Sequence, residues 1–228
     1  MKVTYLHHSG FLVETETKVM LFDYYTEGGR KMYFDPAAYP EKEIFVFVSH
    51  AHEDHYDRRI LDWAHLPNVH YVLSADVRTE AGVTEVLHAE PHQTYDCKGI
   101  SIRTLQSNDE GVAFLVKADG KTIYHAGDLN WWHWNGEPDA FNDDIKRSYT
   151  TEIDKLKGTQ IDVAFVPADL RLEDKYFWAV NYFLQTVGAK VLFPMHFWGR
   201  FEVCGLLREL GFGETIMQLT KENETFEI

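Results

Sequence analysis

The sequence predicts an α/β protein in which helices cover strand-rich sheets from the outside. Two observations carry that expectation: short strands at hairpin spacing open the chain, and strands then alternate with helices to its end. A third adds a site. Three strand-like segments finish on histidine or aspartate, and in α/β sheets ligands collect outside the carboxyl ends of strands.

The opening strands are Val3 to His7, Phe11 to Thr15 and Val19 to Asp23, separated by the turn-forming "HSG" and "TET", and they read as an antiparallel meander. The run Ile44 to Val48 is apolar at every position, as expected of a strand covered on both faces, and "YDRRILDWAHL" beyond it has a helical pattern. Further strands are expected at His70–Leu73, Val86–Ala89, Ile100–Leu105, Val112–Lys117 and Thr122–His125; Asp119-Gly120 between the last two is a hairpin signal. Helices are expected over Asp143–Lys157, closed by Gly158, over Lys175–Val187 and over Phe201–Leu210, with strands at Val163–Val166, Val191–Phe193 and Thr215–Leu219. No repeat, linker or low-complexity segment is apparent, and residues 1–228 read as one domain.

Charge and composition narrow the function. The formal charge of −14, from 22 basic against 36 acidic residues, repels a phosphate backbone, so nucleic-acid binding is not expected. No apolar stretch approaches the roughly 18 residues that cross a membrane, and "MKVTYLHHSG" has no signal-peptide core, so the expected location is cytoplasmic. Cys97 and Cys204 are too few for a disulfide framework and lack metal-knuckle spacing.

The chemistry concentrates in His50-Ala51-His52-Glu53-Asp54-His55, directly after the apolar run. From this chain's own composition the pattern is expected by chance roughly once in 400 such sequences. Solvated loop residues, with Asp54 capping the next helix, are the plain alternative. Residues i and i+2 diverge on a helix, whereas a loop leaving a strand can curl His50 and His52 around one ion; Asp54 and His55 then reach toward a second. Two other strand ends supply donors, Asp128 in "TIYHAGD" and His196 in "VLFPMH".

Together His50, His52, Asp54 and His55 as an HxHxDH signature, Asp128 in "HAGD" and His196 in "PMH" resemble the metallo-β-lactamase superfamily of metal-dependent hydrolases. The resemblance implies a four-layer αββα sandwich with the metals at one edge. It implies that His50 and His52 hold a first ion, that Asp54, His55 and His196 serve a second, and that Asp128 bridges them. Asp23 after "KVMLF" resembles the family's early aspartate, which supports the metal loop. "LHHSGFLVE" with His8, followed by "KVMLFD", is similar to the opening of the short, single-domain branch that includes ascorbate-6-phosphate lactonase and phosphodiester-cleaving members. Family members usually carry one more histidine before a strand like "GVAFLV"; here Ser107-Asn108-Asp109-Glu110 stands there, and Asp109 is the candidate oxygen ligand to the first ion, with water or a single-ion site as the alternatives.

The expected activity is hydrolysis of a small ester, lactone or phosphodiester by a metal-bound hydroxide, with two divalent ions, zinc or manganese, as cofactors. Asp54 would accept or orient a proton, His125 would donate a hydrogen bond or support a ligand unless it is, more simply, a satisfied buried histidine, and Arg171 or Arg200 would clamp an anionic substrate, each arginine being as readily a surface ion pair. Trp131, Trp132, His133 and Trp134 wall a substrate cavity, or form core or a contact between subunits of a homo-oligomer; Tyr24 and Tyr25 share that rim or pack inside. The missing histidine motivates a competing function, a metal-binding or sensory protein with little turnover. A nuclease and a flavin-linked diiron protein are disfavoured, the first for want of basic surface and an extra arm, the second because His52 is not acidic.

Overall fold

Backbone hydrogen bonding sorts the strands into two sheets in a computed structural model that describes residues 1–26, 33–79, 83 and 85–228. The first sheet holds β1 (Lys2–His7), β2 (Gly10–Glu14), β3 (Lys18–Phe22), β4 (Glu43–Val48), β5 (Val69–Ser74) and β6 (Val86–Ala89). The second holds β7 (Thr94–Cys97), β8 (Ile100–Gln106), β9 (Val112–Ala118), β10 (Lys121–His125), β11 (Val163–Pro167) and β12 (Val191–Met195). A final strand, β13 (Glu224–Glu227), returns to pair with β1.

Both sheets are mixed, antiparallel at one end and parallel at the other. The expected meander β1 to β3 is antiparallel and continues into parallel β3 to β6. Likewise β7 to β10 are antiparallel and β10 to β12 parallel. The hairpin between β9 and β10 turns on Asp119 and Gly120, both at positive φ (47° and 71°), the backbone that an Asp-Gly pair tolerates.

Strand β4 shows why its sequence is apolar throughout. Phe45 and Phe47 enter the cluster between the sheets with Phe114 and Phe165, while Ile44, Val46 and Val48 face the opposite way onto Ile60 and Trp63. Burying each such side chain contributes roughly 1.5–3 kcal/mol. The outer face of the second sheet is covered by α1 (Asp139–Asp154) and α2 (Trp178–Thr186), whose Tyr149, Ile153 and Phe183 pack on Tyr124 and Ala164. A short helix, α3 (Glu202–Leu207), buries Val203, Cys204 and Leu207.

Several elements depart from the sequence reading. The segment expected to be helical over "YDRRILDWAHL" forms only a 3-10 helix, Arg58–Trp63, started by the Asp57 carboxylate accepting from Arg59 N; Pro67 disfavours helix at the preceding residue and leaves too few turns to propagate. Helix α1 begins four residues before Asp143, directly after Pro138. Helix α2 is preceded by a separate 3-10 turn, Leu170–Lys175, with a break at Glu173. Thr215–Leu219 is not a strand: it contributes one bridge, Ile216 to Leu192, and buries Ile216 and Leu219. The strands that sequence patterning missed, β7 and β13, lie at sheet edges with alternate residues exposed, where neither face need be apolar.

Candidate metal centre

The parallel halves of both sheets aim their carboxyl ends at one edge, and the donors stand there because strand ends do. β3 leads into Asp23, β4 into Ser49 and His50, β10 into Asp128, β11 into Asp169 and β12 into His196. The β1–β2 turn adds His8 and the β8–β9 turn adds Asp109. His8, Asp23 and His196 are left-handed, with φ of 53°, 43° and 59°, a conformation that costs L-residues roughly 1–2 kcal/mol and concentrates at functional sites.

Close backbone approach holds the loops together. Gly111, at φ 67°, lets the β8–β9 turn press on the metal loop; a Cβ there would lie 2.0 Å from Ser49 O. Gly127, at φ 51°, does the same from β10, where a Cβ would lie 2.7 Å from Ser49 Cβ. Ser49 is thus clamped from two sides, and its carbonyl accepts from Val112 N at 2.9 Å.

Two donor sets result. His50, His52, Asp109 and Asp128 form one, and His8, Asp54, His55 and His196 the other, each with ligand atoms within 4.8 Å of one another. Donors bound to one ion at about 2.0–2.3 Å stand roughly 3–4 Å apart. The observed separations match: His8 Nε2 to Asp54 Oδ2 is 3.3 Å and His52 Nδ1 to Asp109 Oδ2 is 4.0 Å. Asp128 lies between the sets, its carboxylate 3.7 Å from His50 Nε2, 3.2 Å from His55 Nε2 and 3.5 Å from His196 Nε2.

The imidazoles are oriented from behind. His55 Nδ1 donates to Asp23 Oδ2 at 2.7 Å, and His196 Nδ1 to Asp169 Oδ2 at 3.1 Å. Ser49 Oγ donates to Asp23 Oδ2 at 2.6 Å and so accepts from His50 Nδ1 at 2.9 Å. Each Nδ1 is therefore committed and each Nε2 lone pair is left for the cavity side, the arrangement of metal-ligating histidines. His50 Nε2, His55 Nε2, both nitrogens of His8 and Asp128 Oδ1 are buried and make no hydrogen bond, which a divalent cation would remedy.

Electrostatics agree. Burial lowers His8 and His50 to about 4, outweighing the nearby carboxylates, so both are neutral ligands at neutral pH. Burial opposes charge on His55 and His196 too, but Asp128 and the carboxylates behind them prevail; His55 is raised and His196 stands at about 9. Asp128 is held low against its burial by the same two histidines. Burial and Asp128 push Asp109 up.

The residues singled out from sequence divide cleanly. His50, His52, Asp54, His55, Asp109, Asp128 and His196 come together; Asp109 stands beside His52, where the extra histidine is missing. His8 belongs with them, although the sequence offers it only as part of the "LHHSGFLVE" motif. Asp169 has no sequence signal, since one aspartate in "VPADL" carries no spacing pattern. His125 is fully buried and is not among the residues lining the cavity: its Nε2 donates to Ser9 O at 2.9 Å and its Nδ1 accepts from Gly127 N at 3.2 Å, so it braces the Gly127 turn. Arg171 lines the cavity, whereas Arg200 pairs with Glu202 at 2.9 Å. The "WWHW" segment splits by alternation: Trp132 and Trp134 line the cavity, while Trp131 and His133 pack on Trp178. Tyr24 is buried against Trp63.

Two facing mixed sheets with imidazoles and carboxylates gathered at one edge define a protein of the metallo-β-lactamase fold. Residues 2–139 match the model of the beta-lactamase superfamily domain, and the chain belongs to that superfamily. It is 30% identical over 154 residues to a UPF0173 metal-dependent hydrolase of Opitutus terrae, a match covering 56% of this chain and 63% of that protein, so it spans about three-fifths of that relative's length. A UPF0173 metal-dependent hydrolase of Bacillus thuringiensis is 27% identical over 219 residues, 86% of each chain. In fold the chain is similar to a metallo hydrolase of Ignicoccus hospitalis, with a TM-score of 0.67 at 17% identity over 100% of this chain and 98% of that one. The metallo-beta-lactamase fold protein YhfI of Bacillus subtilis gives 0.66 at 17% identity, covering 99% of each chain.

Proposed function

We propose that the protein is a hydrolase of a small ester, lactone or phosphodiester that works with two divalent ions, zinc or manganese. One observation carries the reading: buried Nε2 atoms and Asp128 Oδ1 lack partners and face each other within two compact donor sets. His50, His52 and Asp109 would hold one ion, His8, Asp54, His55 and His196 the other, and Asp128 stands between. Bound divalent ions supply Lewis acidity and lower the pKa of water from 15.7 to about 7. Asp23, Ser49 and Asp169 keep the imidazole lone pairs aimed inward, and Asp54, lining the cavity, is placed to accept or orient the proton of an attacking water.

The competing reading, a metal-binding protein with little turnover, was motivated by the missing histidine, and Asp109 supplies a donor at that place. The names of the UPF0173 relatives favour the hydrolase. A charge of −14 supports a small-molecule substrate over nucleic acid, and the free thiols Cys97 and Cys204 suit a reducing, cytoplasmic setting. No helix among the described residues is long and apolar enough to cross a membrane.

Elemental analysis of protein purified without chelators, coupled to a hydrolysis screen over phosphodiesters, lactones and thioesters, tests the proposal. Metal in the preparation and turnover that chelation removes are expected. Turnover that survives chelation, or a fully metallated protein inactive across the screen, would reject it.

A further inference from the structure

The cavity in front of the donors has a volume of about 460 Å³, the size of a small-molecule site. Its floor is polar, with His52, Asp54, Asp109, Asp128 and His196, and its walls are strongly aromatic. Trp132 and Trp134 present nearly parallel rings, 4° apart with centroids 6.2 Å apart. Trp198, 49% exposed, and Phe141, 44% exposed, line the same cavity, so two of the few large apolar side chains left uncovered among the described residues border it. Trp198 holds a left-handed backbone, φ 51°, directly beyond the His196 strand end.

Arg171 is the one Lys or Arg among the described residues that line this cavity. Its Nε and Nη2 donate to Asp169 Oδ2 at 2.8 and 2.5 Å, which fixes the guanidinium plane. That plane lies over Trp198 and Trp134, 5.1 and 6.0 Å from their centroids. Stacked faces leave a guanidinium edge for recognition, and Nη1 makes no hydrogen bond to a described residue; a planar donor edge suits carboxylate, phosphate or sulfonate oxygens. Asp169 Oδ2 also accepts from His196 Nδ1, so an anion at Arg171 lies within one small molecule's length of the donor sets.

We propose that this cavity selects substrates carrying an anionic group beside a planar apolar one, the anion held by Arg171 and the plane laid against the exposed Trp198 and the other tryptophans that line the cavity. Calling the bound molecule a substrate rests on the hydrolase reading; the binding preference does not. Arg171 and Trp198 set specificity and take no part in bond breaking.

Isothermal titration of the metal-loaded protein tests this with 2-naphthalenesulfonate, an anion that coordinates metals poorly, against its neutral counterpart, 2-naphthyl methyl sulfone. The wild type is expected to bind the sulfonate about 10-fold more tightly. Arg171→Gln should abolish that preference with metal content unchanged, and Arg171→Lys, which keeps the charge and loses the stacked fork, should retain about 3-fold. Trp198→Ala should weaken both ligands about 5-fold. A preference that persists in Arg171→Gln would belong to the ions and overturn the proposal. So would equal or undetectable binding of the two ligands by the wild type, or Trp198→Ala binding both as the wild type does. A protein that shows the expected binding and hydrolyses nothing would fail the hydrolase reading alone.

Discussion

His50, His55 and His196 are each held by a second residue, and for His55 and His196 the surrounding carboxylates determine protonation. At pH 7 His196, raised to about 9, and His55, also raised, carry protons held by Asp128 and by Asp169 and Asp23 behind them. A cation must displace those protons, so affinity should rise with pH until about 9, above which the His196 proton is already gone. Calorimetry at pH 7 in buffers of different ionisation enthalpy should register release of about two protons per fully loaded molecule; no release would contradict this protonation pattern. Asp109 is the exposed carboxylate of the first donor set, beside His52. Asp109→Ala leaves His50, His52 and Asp128, and the expected result is loss of roughly one ion equivalent, with the His8–Asp54–His55–His196 set still filled. Unchanged stoichiometry by elemental analysis would remove Asp109 from the ligands.

At the scale of elements, the site exists because two parallel half-sheets end at the same edge, and the turns between strands must approach closely enough to complete it. Gly111 is where that approach is tightest. Gly111→Ala puts a Cβ 2.0 Å from Ser49 O on a left-handed backbone, and overpacking together with the φ penalty should destabilise the fold by about 3 kcal/mol. Urea unfolding would read it, and metal at the first set should fall with it; a variant as stable as wild type would show that the β8–β9 turn yields freely. The central strands were legible from sequence because burial on two faces demands unbroken apolar runs such as Ile44–Val48. The edge strands β7 and β13 were not, since an edge is satisfied by one neighbour and half-exposed residues. The segment over Arg58–Trp63 kept a helical pattern yet stopped at a 3-10 turn, because Asp57 and Pro67 bound it too closely.

For the molecule as a whole, acidic side chains outnumber basic ones and the candidate metal donors are gathered at one edge, so that metal binding would become part of its stability. An ion bound only by the native state at 100 times its dissociation constant adds about 2.7 kcal/mol. Chelation should lower the melting temperature by roughly 5–10 °C, read by calorimetry before and after dialysis against EDTA; an unchanged transition would mean that the donor sets hold no ion in the purified protein. The sequence by itself marked the fold class, the central strands along the chain and most of the candidate donors, because apolar periodicity and the spacing of His50 to His55 are local properties of the chain. Only the tertiary structure decided that His8 joins the second donor set, that Asp169 backs both His196 and Arg171, that His125 braces a turn, and that Trp132 and Trp134 face the cavity while Trp131 does not. Those assignments depend on which strand ends meet across two sheets and on left-handed turns at His8, Asp23 and His196, and no spacing along the chain encodes distance between residues brought together only by packing.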